Sequence, residues 1–414
     1  MHIQKRIEET GNPILRRDIQ AVPVTIEGRQ MITFIDPLKL ARTGFALDRG
    51  AVPLLSMMDG RHDLRDIQMG LMRMAGGSIV PMTDVEALIN QFDHAFLLES
   101  DAFRLRKTAV MEEFAKKTLR EPQLAGKSYQ ADPNRLRSYI ASIESGLPPL
   151  PGNHDTEILG IMAPHIEISA AEQAYVDAYR RLRGSSYDLV IILGINHSGG
   201  NGLYCLSDKD YITPLGTLVT DRRFIEELKA GLPDYTLAPC DFDHMMEHSI
   251  EFQTIFLAYY LGVAVKIVPV LCGGIHEFLA GKNDPLRDER FLAFRDGILR
   301  IIGQGGLNVL FVSGVDFSHV GHKFGHGITA DALLGRARFN DEQIISHLIA
   351  GRPEEIWKNT LATGDEFNVC GLASMMLFSS LIGRSRAELL HHGTYNEPAT
   401  NSAVTFASMV FAKV

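Results

Sequence analysis

The chain has 414 residues, 45% hydrophobic and 22% charged, which is enough apolar material for full-sized cores and too much for a disordered protein. A formal net charge of −9 without a basic block argues against nucleic acid as the main partner, and no apolar run approaches the roughly 18 residues of a membrane span. Cys205, Cys240, Cys272 and Cys370 are scattered without CxxC spacing, so neither a disulfide framework nor a zinc ribbon is expected.

The length predicts two or three domains. Met1 to Arg6 is basic but has no apolar stretch behind it, so it does not read as a secretory signal and the expected location is cytoplasmic. Histidines divide the chain: only His2, His62 and His94 precede residue 150. Residues 1–106 read as a small separate unit. Gln30 to Ile35 is a strand candidate. Asp63 caps a helix with Leu64, Ile67 and Leu71 on one face, and Thr83 to Glu86 reads as a capping box ahead of a second helix. Phe96 to Glu99 and Phe103 to Leu105 suggest a hairpin turning near Asp101. Helices followed by a hairpin make a winged-helix pattern. With "LLSMMDGRHDLRDI" and "FLLES", the segment is similar to the PqqD-like domains, which hold peptide substrates for radical enzymes. A DNA-binding winged helix would need clustered Lys and Arg for phosphate contacts, and none is evident on the second helix of this segment.

Residues 107–117 read as a charged helical connector and 118–414 as one α/β domain. In the latter, Asp132 caps a helix with Pro133 at its first position and Gly146 at its end. The Pro-rich "GLPPLPGN" leads into the first sheet strand. Further strand candidates are Val263 to Leu271, Leu307 to Val312 and Val404 to Val410, with helices at Ala170 to Leu182 and Met245 to Leu261. Such alternation predicts a mostly parallel sheet flanked by helices.

Three apolar segments in this domain run straight into a histidine. They are Ile158 to His165, Leu189 to His197 and Val309 to His319. Ligands gather at the carboxyl ends of strands in open α/β sheets, and neutral imidazole is the commonest metal ligand. In "GINHSGGNG", the glycines would let the backbone approach a ligand. His322 and His326 lie further along "VDFSHVGHKFGH" and read as surface residues.

If "CDFDHMMEHSIEFQ" is one helix, His244, His248 and Glu251 share a face at i, i+4 and i+7. His244 to His248 also matches H-x-x-E-H, which would make both histidines zinc ligands and Glu247 the general base of a hydrolase. That alternative leaves His165 and His197 without a role.

Five landmarks occur in order: "REPQLAGKSY", "APHIE", "ILGINHS", "EHSIEFQ" and "VSGVDFSHVG", joined by "TPLG" and "CGLAS". Together they closely resemble the Memo family, including the bacterial AmmeMemoRadiSam system protein B. The resemblance implies a fold like the class III extradiol dioxygenases. It implies metal ligands at His165 and His197; the third ligand of animal members is a cysteine, whose position here is Ser318. Asn196, Asp243, His244, Glu251, His248, Asp316 and His319 would share the pocket, with His248, Asp316 and His319 as catalytic candidates. Implied partners are a radical S-adenosylmethionine enzyme and an AMMECR1-like protein.

A serine hydroxyl is a poor ligand where a thiolate suits copper(I), iron or zinc. Asp316 would then be either the carboxylate of a two-His, one-carboxylate iron site or a group that orients a histidine. The expected function is a metal-dependent oxidoreductase or dioxygenase-like protein holding a divalent transition metal, iron or copper over zinc, with a peptide or partner held by the amino-terminal domain. The alternatives are the hydrolase and a non-catalytic binding module.

Overall fold

The computed structural model describes residues 11–36, 38–42, 44–150, 157–199 and 202–414. The Met1 to Arg6 segment, Pro151 to Asn153 of the Pro-rich stretch, and Gly200 and Asn201 of the Gly-rich one lie outside the described residues. The chain forms two compact units that divide between Lys116 and Lys117.

In the first unit, Gln20–Ile26 (β1) and Arg29–Ile35 (β2) pair antiparallel, with Ala46–Asp48 (β3) added to β2. Glu27 (φ 50°) and Gly28 (φ 79°) both sit in the left-handed region, as a two-residue type I′ turn requires. Four helices follow: Val52–Met57 (α1), Leu64–Met74 (α2), Met82–His94 (α3) and Asp101–Ala115 (α4). Asp63 caps α2 as expected, accepting from the N–H groups of Arg65 (2.8 Å) and Asp66 (2.9 Å) while Asp66 accepts from the Asp63 N–H. Ile32, Leu54, Ile67, Val85, Phe92 and Leu97 make the core.

Two expectations fail here. Thr83 to Glu86 is not a capping box, because α3 has already begun at Met82 after Pro81. The hairpin expected over 96–105 is not formed either. Ser100 Oγ accepts from the Phe103 N–H at 3.2 Å and caps α4, which runs on through residues 107–115. A Ser-Asp pair after an apolar run reads equally as turn or helix cap, and the long helix behind it decides. The hairpin of this unit therefore precedes its helices.

The second unit runs Leu119–Arg120 (β4), Pro133–Ser145 (α5), Ile158–Ala163 (β5), Glu172–Arg180 (α6), Leu189–Ile195 (β6), Tyr204–Leu206 (β7), Asp210–Thr213 (β8) and Gly216–Leu218 (β9). Arg222–Lys229 (α7), Ser249–Tyr260 (α8), Lys266–Cys272 (β10), Ile275–Gly281 (α9), Glu289–Gly305 (α10), Val309–Gly314 (β11) and His319–Gly321 (β12) follow. Ala330–Ile349 (α11), Pro353–Thr363 (α12), Leu372–Ile382 (α13), Arg386–Glu397 (β13) and Ser402–Ala412 (β14) complete it. Asp132 caps α5 through the Arg135 N–H at 2.8 Å, with Pro133 at its first turn.

The large sheet has the order β12-β14-β5-β11-β6-β10-β7, with β13 also paired to β14. Its centre, β5-β11-β6-β10, is parallel; β7, β14, β12 and β13 join antiparallel. The strand period of two distributes side chains to two cores. Leu189, Ile191 and Leu193 of β6 pack with α10, α11 and α13, whereas Val190 and Ile192 pack with α5, α6 and α8. The unit is a mixed α/β fold with helices on both faces of the sheet. Among the described residues, no helix is long and apolar enough to cross a membrane.

Candidate metal centre

Because β5, β11 and β6 are adjacent and parallel, their carboxyl ends share one edge. His165 leaves the end of β5, His197 the end of β6, and the Val315 to His319 turn the end of β11 between them. The fourth contributor is the first turn of α8. Gly194 and Gly314 let it press onto the strand ends: a Cβ on Gly194 would lie 2.5 Å from Ser249 Oγ, and one on Gly314 would lie 2.6 Å from Ser249 O. The Ile195 N–H donates to Ser249 Oγ (2.9 Å), tying the helix start to the His197 loop. Gly194 thus serves the approach of a helix, not of a ligand as its glycine context had suggested.

Three imidazoles meet as a result. Ring centroids are 5.1 Å apart for His165 and His197, 5.6 Å for His165 and His248, and 5.3 Å for His197 and His248, the last pair stacked at 10°. His165 is buried, while the His197 and His248 side chains are 40% and 37% exposed. Each Nδ1 faces an acceptor. His165 Nδ1 donates to Gly314 O (3.0 Å), His197 Nδ1 donates to Glu247 Oε2 (2.9 Å), and His248 Nδ1 lies 3.2 Å from Glu247 Oε1. Asp316 straps the His165 turn, its Oδ1 accepting the N–H groups of His165 (3.0 Å) and Ile166 (3.2 Å).

The fourth donor is Cys370, just before α13. Its Sγ lies 3.5 Å from His165 Nε2 and 3.7 Å from Asp316 O. Gly371 permits the approach, since a Cβ there would sit 2.7 Å from Asp316 O. Two groupings of donor atoms lie within 4.8 Å of one another among the described residues: His165, His197 and Cys370, and His197, Glu247 and His248.

The electrostatics follow from burial and neighbours. Burial, with His197 and His248 nearby, holds His165 well below the ordinary imidazole value, so its ring is neutral. Burial also lowers His197, but Glu247 more than offsets it and the net shift is upward. His248 moves down through burial despite Glu247. Burial works to raise the Glu247 carboxyl, yet the two histidines hold it far below its ordinary value. Burial pushes Asp316 up, and pushes the Cys370 thiol well up.

Several predicted residues are elsewhere. Ser318, the expected third ligand, is fully buried; its Oγ donates to Asp341 Oδ1 at 2.6 Å and its N–H to Thr405 Oγ1 at 2.8 Å. The cysteine that joins the histidines is Cys370, 205 positions from His165. "CGLAS" marked it as a landmark, but nothing local tied a lone Cys-Gly to the strand ends.

His244 does not share a helix face with His248. Phe242–Met245 is a 3-10 turn, α8 starts only at Ser249, and His244 Nε2 donates to Cys205 O (2.9 Å) while Nδ1 accepts from the Tyr211 hydroxyl (2.7 Å). Burial holds it at about 4. Both nitrogens are engaged, so the H-x-x-E-H geometry is not formed. Glu251 points away as well, to Arg120, the Tyr129 hydroxyl (2.7 Å) and the N–H groups of Gln123 and Leu124. That explains "REPQLAGKSY" as a strap on α8.

Asn196 donates to Asp243 Oδ2 at 2.8 Å, linking two expected pocket residues. His319 Nδ1 donates to Phe317 O (3.0 Å), and its ring packs on Phe324. It belongs to neither donor group.

Comparison with known proteins identifies the family. Residues 120–410 match the family model described as Memo-like protein. A MEMO1 family protein of Aquifex aeolicus is 30% identical over 361 residues, covering 86% of this chain and 90% of the relative. Its alignment exceeds the second unit and so reaches into the first. A MEMO1 family protein of Thermococcus kodakarensis is 30% identical over 316 residues (71% of this chain, all of the relative), and one of Methanosarcina barkeri is 26% identical over 299 (70% and 99%). The landmark motifs, the sheet-edge site and these matches lead to one conclusion: the chain belongs to the Memo-like protein family.

Proposed function

We propose that the second unit holds a divalent transition metal, iron or copper over zinc, through His165 Nε2, His197 Nε2 and Cys370 Sγ. The carrying observation is the grouping of these three donors at the sheet edge. A metal-binding imidazole gives one nitrogen to the ion and donates its other N–H to an acceptor. His165 and His197 satisfy the second condition through Gly314 O and Glu247. Cys370 supplies the soft donor that Ser318 could not. Bound iron or copper would supply a Lewis-acid and one-electron redox centre. His248, stacked on His197 and partly exposed, is placed to exchange a proton with a bound molecule. Asp316 positions the His165 turn.

On this reading the protein is dioxygenase-like in its use of the cleft and works beside a radical S-adenosylmethionine enzyme and an AMMECR1-like protein. The PqqD-like first unit recognises a peptide or partner; a relative whose alignment reaches into it supports a joint role. The test is metal analysis after anaerobic, reducing purification. Stoichiometric iron or copper that disappears in His165→Ala and His197→Ala is expected. Metal that is retained in both variants would overturn this assignment, and no metal in the wild type would leave a binding module.

A further inference from the structure

Glu247 is the acidic residue of the short peptidase-like motif, yet His244 faces away and leaves it without that role. It is 6% exposed, and donors surround both its oxygens. Oε2 accepts from the His197 main-chain N–H (3.2 Å) and from His197 Nδ1 (2.9 Å). Oε1 accepts from the N–H groups of His248 (2.8 Å) and Ser249 (2.9 Å). We infer that Glu247 is a positioning residue: by accepting at Oε2 it keeps the His197 proton on Nδ1 and leaves the Nε2 lone pair free to bind. This deepens the metal reading and rests on it for its consequence, although the proton placement stands on these hydrogen bonds alone.

An ionised carboxylate only accepts, so it matches four donors without conflict. In Glu247→Gln the side chain keeps its shape but offers one acceptor oxygen and one donating amide group. If the oxygen stays with the His248 and Ser249 N–H groups, the amide faces His197. It then meets the His197 main-chain N–H donor to donor, and it can be accommodated at the ring only if Nδ1 becomes an acceptor. The ring proton must then sit on Nε2, which removes that lone pair. If the amide flips, it faces two main-chain N–H groups instead, and a buried donor left unpaired is costly. The first arrangement spoils one pair of donors and the second spoils two, so the first is favoured.

The test uses the full chain, metal-free, with nitrogen-15 histidine, at alkaline pH where imidazoles are neutral. Two-bond nitrogen–proton correlation reports which ring nitrogen carries the proton. The expected result is an Nδ1–H tautomer for His197 in the wild type and an Nε2–H tautomer in Glu247→Gln. Cobalt(II) binding, followed by its thiolate charge-transfer absorption, should weaken about 10- to 100-fold in the variant, the range found when a ligand's hydrogen-bond partner is lost. An Nε2–H tautomer in the wild type overturns the inference even if the variant fails to fold. So does an unchanged tautomer with unchanged cobalt affinity in the variant. A wild type that shows Nδ1–H yet takes no cobalt supports the role of Glu247 while removing the metal reading.

Discussion

Ser318→Ala and Cys370→Ser should fail in opposite ways. The Ser318 hydroxyl donates to Asp341 Oδ1 at 2.6 Å, and both residues have no exposed surface; the other Asp341 oxygen is 3.3 Å from His392 Nε2. Removing the hydroxyl leaves a buried carboxylate oxygen short of a donor, at about 1–3 kcal/mol. At about 2–4 °C per kcal/mol for a domain approaching this size, Tm of the second unit should fall by roughly 2–12 °C. Metal content should not change, because the Ser318 hydroxyl is committed to Asp341. Cys370→Ser is nearly isosteric and retains a donor toward Asp316 O, so stability should be nearly kept. Its hydroxyl replaces the soft donor, so metal should be lost. Calorimetry and metal analysis on anaerobically purified variants read both effects. Loss of metal from Ser318→Ala at wild-type Tm, or full metal with the cobalt–thiolate absorption in Cys370→Ser, would refute these roles.

Arg120 and Glu251 are 1% and 2% exposed and paired, and Arg120 also donates to the carbonyls of His244 and Glu247. Arg120→Met strands the carboxylate and should cost about 3–5 kcal/mol in denaturant unfolding, with part recovered in the double variant with Glu251→Leu; no recovery would refute the pairing. Gly194→Ala drives a Cβ toward Ser249 Oγ and Ile250, so a loss of about 1–3 kcal/mol is expected, and a neutral result would contradict the close approach of α8. In the first unit, burial works to raise the Asp36 carboxyl. The Arg16 guanidinium and the N–H groups of Leu38, Leu40 and Ala41 nonetheless hold it below its ordinary value. A carboxyl lowered on folding contributes stability above its unfolded pKa, about 3.9, and loses it as the pH falls through the folded value. Hydrogen exchange across β1 and β2 should therefore accelerate more steeply below about pH 4 in the wild type than in Asp36→Asn; equal slopes would remove Asp36 as the cause.

Where local chemistry was decisive, the sequence was readable. Asp63 and Asp132 cap the helices they were expected to cap, because capping is settled within three residues. The apolar runs before His165 and His197 are strands, and a parallel sheet must bring their carboxyl ends to one edge. Spacing misled where it assumed a continuous element. The 3-10 turn at Phe242–Met245 breaks the i, i+4 relation of His244 and His248, and Ser100 starts a helix where a turn was read.

The sequence by itself thus pointed to two of the three proposed ligands, His165 and His197, although adjacency to a strand end, a local property, equally marked His319, which joins neither donor group. The third was decided by tertiary structure. Ser318 lies in the turn after β11, but that turn directs it to Asp341 and Thr405. Cys370 reaches His165 from 205 positions away because α13 packs on the sheet and Gly371 lets its start touch Asp316. No pattern in one chain encodes such a meeting, which depends on how packed layers fill space.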